Sequence, residues 1–189
     1  MSMRKSVTFG LALASALLTS HALAVDVYAQ HNDHVTVTST RSEFVEQVRQ
    51  ATAAFRDARN VPDGYGAVLG CVSGPLVGAM GVHFVNPGLL TDAALDAAQP
   101  EALIYEFQGD VGRLVGVEYI VLFDVWHQTH APQDTPTIEG QLMNFNEAPN
   151  RFGLPAFYEL HVWAWRDNPH GTFVDWNPQV SCEGFTPNP

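Results

Sequence analysis

Glu159 and His161 stand two residues apart in the stretch Phe157-Tyr158-Glu159-Leu160-His161-Val162-Trp163-Ala164-Trp165. If this stretch is a strand, alternation turns Phe157, Glu159, His161, Trp163 and Trp165 to one face. Tyr158, Leu160, Val162 and Ala164 then form the other. A carboxylate oxygen and an imidazole nitrogen that share a face can supply two ligands to one metal ion. Trp163, Trp165 and Phe157 beside them are suited to wall off water and to hold a cofactor or small ligand. The same spacing also suits a plain Glu159–His161 hydrogen bond in a half-buried face.

A metal needs a third protein ligand. His83 follows Gly81, a residue that allows close backbone approach, in Met80-Gly81-Val82-His83. Glu106 and Glu118 each interrupt an apolar run. An unpaired buried carboxylate costs several kcal/mol, order of magnitude, so each is expected to be paired, metal-bound or functional. His83, His161 and one of Glu106, Glu118 and Glu159 form a two-His, one-carboxylate set. Such a set suits a divalent metal such as Zn, Cu, Mn or Fe, without distinguishing among them. The competing expectation is a buried polar network that ties the sheet to its loops. The three glutamates also have the composition of a paired-carboxylate hydrolase, whose separations a sequence does not give.

Other chemistry finds less support. His127 and His130, three apart in a loop, and His31 and His34, near the N-terminus, are of a kind that is usually solvated, and His170 reads as a turn residue. GxSxG, P-loop and GxGxxG motifs are absent from the sequence. The only lysine is Lys5, which leaves no Schiff-base lysine beyond the N-terminal stretch.

The elements that must position these groups form an α+β pattern. Thr40 and Glu43 make a capping box, and Phe44, Val48, Ala51, Phe55 and Ala58 recur at helical spacing, so an amphipathic helix is expected from Thr40 to about Arg59. Strands are expected at 35–38, 80–85, 102–108, 113–123 and 156–166, with a short helix at 89–98. Residues 64–81 read as a glycine-rich loop with one short strand or helical turn, and 127–155 as a long loop. The expected architecture is an N-terminal amphipathic helix packed on one face of a curved antiparallel sheet, whose other face is covered by loops or lines a pocket.

The chain has 189 residues, enough for one domain with a sizeable core. Residues 1–24 read as a signal peptide: Arg4 and Lys5, an apolar run from Val7 to Leu18, then Ala22-Leu23-Ala24. The run is shorter than the roughly 20 residues that span a bilayer. A single α+β domain over 25–189, periplasmic or secreted, is therefore expected. That portion has seven Arg and 20 Asp plus Glu, a net charge of −13, which argues against nucleic acid as a partner. Cys71 and Cys182 are the only cysteines, and in an oxidising compartment a disulfide is expected.

Three segments resemble an uncharacterised family of small exported bacterial proteins: GAMGVHFVN at 78–86, LVGVEY at 114–119, and ELHVWAWRDNPHGTF with DWNPQVSC across 159–182. The resemblance implies export and brings no catalytic role. The sequence thus points to an exported protein that binds a metal or a small ligand at an aromatic-walled sheet face. As an enzyme it would use the ion to activate water or dioxygen. A metal-free protein for apolar ligands, and a structural or interaction module, are the alternatives.

Overall fold

A computed structural model describes residues 43–187. The expected signal peptide, His31, His34, the strand at 35–38 and the Thr40 cap lie outside the described residues. The fold is α+β: a short helix and a curled antiparallel sheet. Helix α1 covers residues 43–52. Strands β1 (Gly66–Gly74), β2 (Gly78–Val85), β3 (Ala102–Gln108) and β4 (Val111–Leu122) form a meander. Short helices α2 (Pro87–Leu90) and α3 (Phe123–Trp126) follow β2 and β4. Strands β5 (Thr137–Ile138) and β6 (Gln141–Leu142) form a separate two-stranded sheet among the described residues, and β7 (Asn144–Asn146) lies at the edge of the main sheet. The last strand, β8 (Phe157–Val162), inserts between β4 and β7, which gives the order β1-β2-β3-β4-β8-β7.

One sheet face carries the main core. Leu103, Tyr105, Leu114, Val117, Tyr119, Leu160 and Val162 are buried there together with Phe44 and Val48 of α1. The Phe44 ring lies 5.7 Å from that of Tyr119. The other face has two smaller apolar clusters: Ala79, Ile104, Val115, Trp163 and Val180 in one, Ala102, Ile120 and Phe157 in the other. Between them lie the buried polar side chains of His83, Glu118, Glu159 and His161, with Val72 and Met80 beside them.

Several elements differ from the sequence reading. The helix ends at residue 52 rather than near Arg59. Thr52 turns its hydroxyl back onto the Val48 carbonyl at 2.7 Å, and two 3-10 turns, Ala53–Phe55 and Ala58–Asn60, continue the chain. Asp57 breaks the helical path: it caps the second turn and accepts from Arg113 at 3.0 Å. Residues 66–74 are a nine-residue strand, although small residues disfavour strand on propensity. Pairing along β2 imposes the extended form. The expected helix at 89–98 shrinks to α2, and the strand expected at 156–166 stops at Val162. The long loop contains β5, β6 and β7.

Cys71 and Cys182 are disulfide-bonded, as expected, across 111 residues. The bond ties the C-terminal tail to β1. Asn177 secures the same tail, exchanging backbone hydrogen bonds with Ala79 of β2 at 3.1 Å each way. Closing so long a loop restricts the unfolded chain. Cys71→Ser/Cys182→Ser should therefore lose about 2–4 kcal/mol in urea unfolding.

Glu101 is 1% exposed, and its carboxylate accepts the Ile120 amide at 3.0 Å, just before β3 begins. Burial pushes its carboxyl up to about 8, against the pull of that hydrogen bond. The folded state thus holds a proton that the unfolded chain releases near pH 4.5, so this group lowers stability as pH rises from about 5 to 8. Glu101→Gln keeps an acceptor for Ile120 and removes that slope. Thermal melts of the variant should be flatter across this range, with the largest gain over the parent near pH 8.

Candidate metal centre

The polar strip on the second face is built from three strands. His83 comes from β2, Glu118 from β4 and His161 from β8. Glu118 and His161 are direct cross-strand partners. His83 lies on the far side of β3, opposite Ile104, and reaches Glu118 because the sheet curls and β3 presents only Ala102 opposite Glu118. Glycines bring the backbones close. A Cβ on Gly81, at φ 102°, would meet the Tyr105 carbonyl oxygen at 2.8 Å, and one on Gly116 would meet that of Val162 at 2.9 Å.

The donor atoms converge. His83 Nε2 is 3.3 Å from Glu118 Oε2, and His161 Nδ1 is 3.8 Å from Glu118 Oε1. His161 Nδ1 is also 3.8 Å from Asp175 Oδ1. His83, Glu118 and His161 offer ligand atoms that all lie within 4.8 Å of one another, and so do Glu159, His161 and Asp175. His161 is shared between the two groups. It is 0% exposed, and neither of its ring nitrogens has a hydrogen-bond partner. Buried polar atoms are nearly always satisfied, and leaving one unsatisfied costs about 1–3 kcal/mol.

Electrostatics sharpens the picture. Burial lowers His83 to about 4, and burial with the nearby His83 lowers His161 as well. Both rings are neutral near pH 7, the form that ligates metal. Burial holds the Glu118 carboxyl well above its usual range, reinforced by the charge of Glu159, a hydrogen bond to it and the charge of Asp175. Asp175 rises to about 6 through burial and the Glu159 charge. Among the described residues no arginine pairs with Glu118, Glu159 or Asp175. The cluster therefore crowds three carboxyl groups into a dry place with nothing positive to favour their ionisation. A divalent cation would reverse the two carboxyl shifts and hold both imidazoles more firmly in the neutral form.

The flanking groups are also placed. Asn146 of β7 donates to Glu159 Oε1 at 2.7 Å, and Asn144 lies 3.5 Å from Asp175 Oδ1. Trp163 stacks beside His161, 6.0 Å between ring centres, and donates to the Val174 carbonyl. Phe157 closes the other end. With Val72, Met80, His83, Glu118 and Glu159 it lines a cavity of about 40 Å³.

Two residues singled out from the sequence lie elsewhere. Because β8 ends at Val162, alternation fails beyond it, and Trp165 falls on the α1 side. There it donates to Thr52 Oγ1 at 2.9 Å beneath the Arg56 guanidinium. Glu106 accepts from Arg166 and from the Ser181 amide, and so holds the tail. His127 meets the Tyr158 hydroxyl and His130 stacks on Trp126, and neither joins the cluster. Asp175, Asn144 and Asn146 were not singled out from the sequence. The one pointer to Asp175 was the expected disulfide, which draws the tail back onto the sheet.

The two roles of the glutamates separate on substitution. Glu106→Gln should cost about 1–3 kcal/mol, the range for a disrupted charged, part-buried hydrogen-bond network, and leave metal uptake unchanged. Glu118→Gln should instead weaken metal uptake at least tenfold, read by competition with a chromogenic chelator. No family model, no curated protein and no solved structure matches the chain.

Proposed function

We propose that this is an exported protein that binds one divalent metal ion between His83, Glu118 and His161. One observation carries the reading: both ring nitrogens of fully buried His161 lack a hydrogen-bond partner, among carboxylates that no arginine pairs with. Two neutral imidazoles and one carboxylate suit Zn, Cu, Mn or Fe better than Mg or Ca, which favour oxygen ligands. Asp175 and Glu159 flank the ion on the side of the tail. Asn146 fixes the orientation of Glu159, the kind of supporting contact that tunes metal ligands. Trp163 and Phe157 keep the site dry. Three protein ligands leave a coordination position open towards the cavity, where an ion can polarise a bound oxygen or lower the pKa of water. In this reading α1 packs along its length on the opposite face and stiffens the strands that carry the ligands.

Export is supported by the disulfide, which is compatible with an oxidising compartment. Among the described residues no helix is long and apolar enough to cross a membrane.

The test is metal content. The chain, produced through an oxidising compartment without a His-tag, should carry close to one ion per molecule by elemental mass spectrometry. His83→Ala/His161→Ala should carry none and remain folded. At a free metal concentration 100 times Kd, the parent should gain about 2.7 kcal/mol, or roughly 5–10 °C in Tm, and the double variant nothing. No uptake by the parent after reconstitution with Zn, Cu, Mn and Fe overturns the reading.

A further inference from the structure

The ligand cluster opens onto apolar space. Beyond the cavity at His83, Glu118 and Glu159 lies a larger groove of about 490 Å³, reaching Tyr65, Pro87 and Leu90. The two spaces share Val68, Leu69, Val85, Ile120 and Leu154 and so adjoin across these side chains. Their sizes differ in a telling way. The inner space, about 40 Å³, has room for about three waters at roughly 10–15 Å³ each, or one small polar group. The outer groove falls within the range of small-molecule sites, about 300–1,000 Å³.

The lip between them is set by β1. Val68 sits directly opposite His83. Leu69 and Gly70 then bulge out of register before Cys71, at φ 62° and 66°. A bulge re-aims a side chain, and this one leaves Leu69 lining both spaces while 54% exposed.

Charge restricts the polar end of an occupant. Glu118, Glu159 and Asp175 surround the site without an arginine partner among the described residues. A divalent ion among three carboxylates leaves the site with no net positive charge, so an anionic head has little electrostatic gain to offset its desolvation.

Resting on the metal reading above, we propose that the site takes an aliphatic amphiphile with a small neutral oxygen-donor head, of which a primary alkanol is the simplest member. The head occupies the inner cavity and completes the coordination of the ion. The tail runs out past Val68 and Leu69 into the groove.

The test uses the full chain loaded with Co²⁺, with metal content measured on the same sample, titrated with 1-butanol, 1-hexanol and 1-octanol. The visible cobalt bands should shift, and apparent affinity should rise about three- to fourfold per methylene. Octanoate should bind at least tenfold more weakly than 1-octanol. Leu69→Asn places a residue that tolerates the left-handed region and removes apolar lining. It should keep the cobalt spectrum and weaken 1-octanol at least fivefold, with a smaller effect on 1-butanol. A loaded protein whose bands ignore alkanols, whose affinity ignores chain length, or which prefers octanoate overturns the inference and leaves the metal reading standing. A parent that takes up no cobalt, zinc, copper, manganese or iron removes the metal reading and this inference together. Alkanol binding by that metal-free protein would then be tail recognition alone.

Discussion

The curl of the sheet brings together polar groups that would otherwise lie apart. His83 and Glu118 belong to strands that are not neighbours. They meet because the strands wrap towards each other and because Ala102 leaves space over β3. Burying such a row is costly unless each group finds a partner. Much of the second face serves to keep this row dry: Trp163 and the Val180 cluster on one flank, Ile120 and Phe157 on the other. Two clamps hold the tail over it. Asn177 bridges to β2 and the disulfide bridges to β1, and between these anchors and β8 the tail delivers Asp175 to His161.

The legible part of the site consisted of polar residues that interrupted apolar runs. His83, Glu118, Glu159 and His161 each break such a run, and the structure brings all four into the two ligand groups. Glu106 broke its strand in the same way but answers to Arg166 and Ser181. An interrupted run signals a buried polar group without saying which partner satisfies it. Asp175 was hidden for a different reason. It lies in an irregular tail with no periodicity, and only long-range ties bring it near the strands.

The fold was legible where apolar pattern and chain direction agreed. The strand at 102–108 appears with the bounds expected. Strand β1 was not, because Gly66, Ala67 and Gly70 carry little strand preference and its extended form comes from pairing with β2. The helix was read too long because Phe55 and Ala58 continue the apolar spacing of α1 and still pack against the core, from 3-10 turns. Trp165 was misplaced by parity: once β8 ends, a two-residue step no longer preserves the face.

The strand order has a consequence in time. A chain that emerges from its N-terminus completes the β1–β4 meander well before β8 exists, since α3 and the small strands β5 to β7 intervene. At that stage His83 and Glu118 already share a surface, but His161 and Asp175 have yet to arrive. Contacts between such distant segments form slowly. The nascent meander would therefore present its acidic, half-built face to solvent as an open edge at β4. Closure of this edge by β8 would still leave the tail, with Asp175, Asn177 and Cys182, to be tied down last.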